Sequence, residues 1–234
     1  LRVTTRAELN AAWTQLGQVP CVLEKMLPLA SECSVIIARG RDGAMVNLPV
    51  QRNLHRDGIL AVTEVFAGNV PEALASQAIA AAKAVAQELS YVGVLCVEFF
   101  VLADGQLVVN EIAPRPHNSG HYSQDACDVS QFELQVRCMA DLPLTQPRLH
   151  SAAVMLNLLG DLWFKQSGAE PNSVQAEPAW QKVLALPGTH LHLYGKREAR
   201  AGRKMGHLNI TAATPEAARA VALQAADILG VAPF

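Results

Sequence analysis

Apolar residues recur at helical spacing in four stretches of the chain. The first stretch follows a capping box, in which Thr5 precedes Glu8 by three residues, and it ends at Gly17. The second is rich in Ala, and the fourth begins with Thr214 followed by Pro215, a pair typical of helix starts. The pattern predicts helices over residues 5–17, 71–89 and 129–139, and from residue 214 onward.

Runs of β-branched and apolar residues lie between the predicted helices. An Asp-Gly pair, which is typical of hairpin turns, occurs at residues 42–43 and again at 104–105. The predicted strands are residues 21–26, 33–38, 44–50, 59–66, 94–102, 106–112, 153–159, 189–194 and 206–210. Antiparallel hairpins with flanking helices indicate the α+β class.

Residues 142–147 form a short segment with two prolines, and the sequence pattern differs on its two sides. Such segments are typical of domain boundaries. After it, short strands surround a stretch rich in Gly and Pro. We therefore expect a larger α+β domain over residues 1–145 and a small β-rich domain over residues 146–234.

Composition narrows the class of protein. The 234 residues include 19 Lys and Arg against 21 Asp and Glu, so there is no overall basic field for nucleic acid, and any anion site must be local. No apolar run is long enough to cross a bilayer, and the first residues lack the apolar segment of a signal peptide, so we expect a cytoplasmic protein. The 5 cysteines show no C-x-x-C spacing and are expected to be buried, reduced thiols.

Two glutamates in apolar strands are the most informative polar residues. A two-residue loop at residues 104–105 would place Glu98 directly opposite Glu111, with Cβ atoms roughly 5 Å apart. Like charges this close need a compensating cation, and few carboxylates suit a Mg²⁺ ion that keeps waters and nucleotide phosphates. A β-bulge could instead turn one glutamate to solvent. The pair could also serve glycoside hydrolysis, which is less favoured because an aromatic sugar platform is missing.

Other polar residues allow two interpretations each. Glu24 and Lys25 close the predicted strand over residues 21–26, where backbone groups could meet a purine edge, although a plain exposed strand end is favoured. Glu32 follows a short loop. His55 belongs to a basic loop between strands, which is either functional or a solvated turn.

A donor-rich segment follows Glu111 directly. It contains Arg115, His117, Asn118, Ser119 and His121, and such donors suit a phosphoryl group held on a metal. Near the end of the chain, residues 196–207 concentrate basic residues around two glycines. This run is either a phosphate pocket or a solvated charged turn.

Six segments together resemble a known enzyme family, the N5-carboxyaminoimidazole ribonucleotide synthetases. These segments are residues 24–27, 53–60, 91–94, 98–100, 110–121 and 202–209. The most specific is Asn-Glu-x-Ala-Pro-Arg-x-His-Asn-Ser-Gly-His at residues 110–121. The resemblance implies an ATP-grasp fold and the carboxylation of 5-aminoimidazole ribonucleotide by ATP and bicarbonate, through carboxyphosphate, in purine biosynthesis.

The resemblance also implies roles for individual residues. ATP would be bound by Glu24, Lys25, Met26, Leu27, Glu32, His55, Asn110 and Glu111. Mg²⁺ would be held by Glu98 and Glu111. Arg115 would stabilise the transferring phosphoryl group together with Glu111. The ribonucleotide would be bound by His117, Asn118, Ser119, Lys196 and Arg203. Members of the family are often homodimers, so a homodimer is expected.

The chain also departs from this family. The family carries an N-terminal domain and a Gly-rich phosphate loop, and neither occurs in these 234 residues. We therefore expect these 234 residues alone to be catalytically inactive. Two alternatives stay open. One is a neighbouring ATP-grasp ligase such as the formate-dependent glycinamide ribonucleotide transformylase, and the other is a nucleotide-binding or dimerisation module without catalysis.

Overall fold

Nine strands form one sheet within the residues that the computed structural model describes, which are 1–165 and 176–234. The strands are β1 (Leu29–Arg39), β2 (Met45–Asn47), β3 (Gln51–Arg56), β4 (Ile59–Val65), β5 (Gly93–Leu102), β6 (Leu107–Ala113), β7 (Ala152–Leu159), β8 (Thr189–Leu193) and β9 (Lys204–Ala212). Their order is β6-β5-β1-β3-β4-β7-β9-β8, with β2 paired to β1. Every pairing between these strands is antiparallel, as the hairpin pattern predicts.

Helices flank this sheet. They are α1 (Arg6–Gln15), α2 (Glu72–Glu88), α3 (Ser123–Ala126), α4 (Gln131–Met139), α5 (Leu162–Lys165), α6 (Trp180–Leu184) and α7 (Pro215–Leu229), with a 3-10 turn at Asn118–Gly120. The four predicted helices are confirmed, including the capping box of Thr5 and Glu8 and the N-cap at Thr214. The short helices α3, α5 and α6 are not predicted by the sequence pattern. Of the helices described, none is both long and apolar enough to span a membrane.

The central strands are buried on both faces. Along β1, Val35 and Ile37 pack on α2, whereas Ile36 and Ala38 pack on the opposite side against α3 and α4. This two-residue alternation explains why the strand is uniformly apolar, since both of its faces carry a helical layer. The sheet continues from β4 into β7, so the division at residues 145–146 falls between two strands of one sheet and stays a prediction.

Three local predictions are wrong. Residues 21–26 form no strand, and Val22 is 86% exposed, because the apolar run finds no pairing partner among the described residues. Cys21 is consequently an exposed thiol, whereas the other four cysteines are buried and free. His55 lies in β3 rather than in a loop, because residues 51–53 pair with β1 and residues 52–56 pair with β4, where His55 lies opposite Leu60.

Candidate functional site

Glu98 and Glu111 lie directly opposite each other on β5 and β6, as predicted. The assumed loop is wrong, however, because Leu102 donates its N–H to Gln106 O and the loop has three residues, with Gly105 at φ 84°. A bulge between Glu98 and Phe99 then shifts the register by one residue. The two deviations cancel, so the glutamates still face each other.

The two carboxylates differ in exposure. Glu98 is 7% exposed, whereas Glu111 is exposed at the sheet edge. Burial raises the pKa of Glu98; the charge of His55 opposes this, and Glu111 and Glu32 add to it. Glu98 Oε1 is buried and accepts no hydrogen bond within the described part of the chain. A bound cation would stabilise this arrangement, because it would compensate both the buried, unpaired carboxylate oxygen and the repulsion between the two carboxylates.

Two histidines approach this oxygen. His55 Nε2 lies 3.8 Å from Glu98 Oε1, and His117 Nε2 lies 3.7 Å from the same atom. The other nitrogen of His55, Nδ1, lies 2.5 Å from Glu32 Oε2. Burial alone would lower the pKa of His55, but the hydrogen bond to Glu32 and the charges of Glu32 and Glu98 raise it. The structure thus brings Glu32, His55, Glu98 and His117 into one polar cluster.

Gln131 of α4 holds the segment of His117 in place. His117 donates its backbone N–H to Gln131 Oε1 at 2.9 Å and accepts from Gln131 Nε2 through its carbonyl at 2.8 Å. Burial, together with the nearby charges of Lys204 and Arg115, lowers the pKa of the His117 ring to about 4. Asn118 is buried, and neither of its amide atoms has a hydrogen-bond partner among residues 1–165 and 176–234. An unpaired buried amide of this kind suits a ligand that supplies both a donor and an acceptor.

The three predicted basic residues make hydrogen bonds with backbone carbonyls close to them in sequence. Arg115 is exposed and donates to Pro116 O at 3.1 Å. Lys196 donates to Lys204 O and stacks on Tyr194, with Nζ 5.5 Å from the ring centre. Arg203 donates to Glu198 O at 2.9 Å. Lys196, but not Arg203, lines a cleft of about 330 Å³ beside the sheet.

Lys204 is a site candidate that the sequence analysis missed. Its ammonium is half-buried, and burial lowers its pKa; the charge of Arg115 adds to this, whereas Glu98 and Glu111 oppose it. Lys204 is therefore close enough to Glu98 and Glu111 to interact with both electrostatically. Its neighbour Arg203 carries the same charge in the same segment, so the sequence offered no signal to separate them.

Other predicted residues are not brought to the cluster. Glu24, Lys25 and Met26 are exposed and Leu27 is partly exposed, in a segment without regular structure. Asn110 is the bulged residue of β6 and is exposed. The hydrogen bonds and ion pairs found in the described ranges do not connect these residues to Glu98. Their nucleotide-binding roles stay predictions.

A second polar cluster, also missed from sequence, lies on β8 and β9. The ring of His207 stacks between His121 and His192, with centroid distances of 4.4 and 4.5 Å. His192 Nε2 lies 2.8 Å from Asp125 Oδ2, and the Tyr194 hydroxyl lies 3.0 Å from His207 Nδ1. Burial lowers the pKa of both His121 and His207 to about 3. His192 and His207 are register partners on adjacent strands, a pairing that only the folded sheet reveals.

Two family profiles match the chain. The profile of the ATP-grasp domain matches residues 1–132, and that of the phosphoribosylaminoimidazole carboxylase C-terminal domain matches residues 153–221. Among curated proteins, the N5-carboxyaminoimidazole ribonucleotide synthase of Brucella melitensis is 43% identical over 201 residues, or 84% of this chain and 50% of that protein. The Escherichia coli protein of the same name is 43% identical over 194 residues, covering 82% and 48% respectively. The chain thus spans about half the length of these relatives.

Solved structures show the same likeness. An N5-carboxyaminoimidazole synthase from Aspergillus clavatus, in complex with ADP and 5-aminoimidazole ribonucleotide, superposes with a TM-score of 0.87 and 31% identity over 98% of this chain and 59% of that one. The synthetase from Thermus thermophilus superposes with a TM-score of 0.84 and 34% identity over 98% and 59%.

Proposed function

The chain belongs to the ATP-grasp family, and on that premise we propose that it forms part of an N5-carboxyaminoimidazole ribonucleotide synthase. The proposed reaction joins bicarbonate to the amino group of 5-aminoimidazole ribonucleotide and converts ATP to ADP and phosphate. The observation that carries the proposal is the opposed pair of Glu98 and Glu111, with the donor-rich segment of residues 115–119 directly after it. The choice of 5-aminoimidazole ribonucleotide as the substrate is supported by the names of the relatives and by the ribonucleotide bound in the Aspergillus clavatus structure.

The glutamate pair is the proposed magnesium-nucleotide site. Glu98 offers a buried oxygen to which no described residue donates, and Glu111 offers an exposed carboxylate from the opposite strand. Among the described residues, no three His, Cys, Asp or Glu side chains converge as metal ligands. Two carboxylates suit a Mg²⁺ ion that takes its remaining ligands from water and phosphate oxygens. When bound, the ion would neutralise charge on the transferring phosphoryl group.

The chain's own residues would serve binding and charge stabilisation. His55 is tied to Glu32 at 2.5 Å, so the two side chains present a fixed pair beside the nucleotide site. Arg115 is exposed next to the pair and would donate to the phosphoryl oxygens as bicarbonate attacks. Lys196 and Arg203 would bind the 5-phosphate of the ribonucleotide, and the segment from His117 to Ser119 would contact its imidazole or the bicarbonate. These roles follow the family resemblance, and the cluster of Glu32, His55, Glu98 and His117 supports those of His55 and His117.

The proposal is tested by the release of ADP from ATP in the protein that carries this chain. Two pairs of co-substrates are compared, 5-aminoimidazole ribonucleotide with bicarbonate and glycinamide ribonucleotide with formate. Stimulation by the first pair alone is expected. Stimulation by the second pair alone would replace the proposal with the transformylase activity. A homodimeric assembly and a cytoplasmic location, both expected from the sequence, stay predictions.

A further inference from the structure

A line of buried polar side chains crosses three strands and ends at His117. Thr63 on β4 donates to Asn53 Oδ1 at 3.0 Å, and Asn53 Nδ2 donates to Ser34 Oγ on β1 at 2.8 Å. Ser34 Oγ lies 2.8 Å from Ser119 Oγ, which in turn lies 3.0 Å from His117 Nδ1. All five side chains are buried. Neither the comparisons nor the family resemblance gives a role to Thr63, Asn53 or Ser34.

The direction of these hydrogen bonds decides where the ring of His117 carries its proton. The backbone N–H of Ser119 donates to His117 Nδ1 at 3.4 Å. Because the backbone fixes the direction of this N–H, it cannot rotate away as a hydroxyl can. If Nδ1 is an acceptor, the Ser119 hydroxyl also donates to it, and the Ser34 hydroxyl donates to Ser119. Each group then donates a hydrogen bond to the next one, from Thr63 at one end to His117 at the other.

The hydrogen bonds could also run in the opposite direction, away from a His117 ring that is protonated on Nδ1. Ser34 has one hydroxyl proton, and Gln51 Oε1 is a second acceptor, 3.0 Å away. A reversed chain would run from a protonated Nδ1 through Ser119 and Ser34 to Gln51. It would press the Ser119 backbone N–H against a protonated Nδ1. It would also leave the lone pair of His117 Nε2 facing Glu98 Oε1 at 3.7 Å. Both ends of the ring therefore favour a proton on Nε2.

We propose that this buried chain of hydroxyl and amide groups holds His117 as the tautomer protonated on Nε2. The separation of 3.7 Å between Nε2 and Glu98 Oε1 exceeds a hydrogen bond, so the N–H stays available to a ligand atom. The site thus selects a group with a lone pair at this point, such as a carboxylate or phosphoryl oxygen or an unprotonated ring nitrogen. Ser34, Asn53 and Thr63 are positioning residues, which act on the ligand only through His117.

This inference rests on the proposed function only for the identity of the ligand, since the tautomer is a property of the chain itself. It is measured by long-range proton–nitrogen NMR on the chain labelled with ¹⁵N in its 7 histidines. The variant His117→Gln identifies the His117 signal by its loss. We expect a protonated Nε2 and an unprotonated Nδ1. Because neither ATP nor ribonucleotide is added, a failure of the proposed activity does not change this result.

Variants then test the hydrogen-bond chain. Ser119→Ala and Ser34→Ala each remove one hydroxyl, and each is expected to shift the tautomer ratio about fivefold toward Nδ1–H, the equivalent of ~1 kcal/mol for one hydrogen bond. Ser123→Ala is the matched control, because this buried hydroxyl donates to Gly120 O and accepts the backbone N–H of Gln131, yet is hydrogen bonded to none of the five residues from Thr63 to His117. It is expected to leave the ratio unchanged.

Three results would overturn the inference. One is a His117 ring protonated on Nδ1 in the unmodified chain, which needs no variant and stands even if a substitution prevents folding. Another is a single, unchanged tautomer in folded Ser34→Ala and Ser119→Ala. The third is an equal shift in Ser123→Ala, because any loosening of the segment would then release the ring.

Discussion

The stacked histidines make a specific prediction about stability in acid. His207 is 2% exposed and stacks on His121, and burial lowers the pKa of both rings from 6.5 to about 3. Near pH 5 both rings are neutral in the folded chain, whereas in the unfolded chain both are protonated. The unfolded state therefore binds more protons, and stability falls as the pH drops from 6.5 toward 3.

The magnitude follows from proton linkage. Each ring that stays neutral lowers the free energy of unfolding by about 1.4 kcal/mol per pH unit below its unfolded pKa. The variant His207→Gln removes one such ring. Whatever this substitution costs at pH 7, its difference from the unmodified chain is expected to shift by about 2 kcal/mol in favour of the variant at pH 5. Contributions from residues that do not contact His207, including the raised pKa of His55, act on both proteins and cancel.

Urea unfolding at pH 7, 6 and 5, followed by tryptophan fluorescence, measures this difference. His150→Gln is the matched control, because His150 is exposed on the surface and undergoes the same chemical change. Its difference from the unmodified chain is expected to stay constant over this range. If the difference for His207→Gln were equally constant, the ring of His207 would not be held neutral by burial, and the reasoning would be refuted.

Three further predictions concern binding and packing. Arg203→Ala is expected to weaken binding of 5-aminoimidazole ribonucleotide at least tenfold in calorimetry, whereas Arg200, which is exposed and does not line the cleft beside Lys196, can be replaced by Ala with less than a threefold change. Gly188→Ala is expected to lower the free energy of unfolding by more than about 2 kcal/mol, because its Cβ would lie 2.1 Å from Thr211 O and φ is +68°. An unchanged melting temperature would contradict that packing. Glu98→Gln is expected to raise the melting temperature of the ligand-free chain, since burial disfavours the charge; a lower melting temperature would mean that the carboxylate is stabilised in place.

Local signals in the sequence predicted local structure well. The capping box of Thr5 and Glu8 is written in neighbouring residues, and it forms as expected even though α1 buries no residue. The apolar run over residues 21–26 has a comparable local signal but forms no strand. A strand needs a partner, and the identity of that partner is not encoded within the run itself.

The glutamate pair shows both the reach and the limit of reasoning from sequence. The apolar setting of Glu98 and Glu111 was enough to single them out. The loop length and the bulge that decide their register depend on backbone geometry around Gly105, which residue types alone do not specify. The opposed pair was therefore predicted correctly from a loop that was wrong.

The buried polar residues were out of reach for a different reason. Ser34 directly precedes the apolar run of residues 35–38 in β1, which could have marked it as a buried polar group that needs a partner. Its partners come from β3 and from residue 119, far along the chain. Likewise, His192 and His207 meet only because β8 and β9 pair in one register. Such clusters form only when strands distant in sequence pair, so residue types along the chain do not predict them.

The most direct test of the central claim is calorimetric titration of the chain with Mg-ATP. The double variant Glu98→Gln, Glu111→Gln removes the proposed ligands, and Glu72→Gln, Glu88→Gln makes the same change of charge at two exposed positions of α2. We expect the unmodified chain and the α2 variant to bind Mg-ATP alike, and the Glu98 and Glu111 variant to lose magnesium-dependent binding. Equal affinity in all three proteins would contradict the assignment of this pair as the magnesium-nucleotide site.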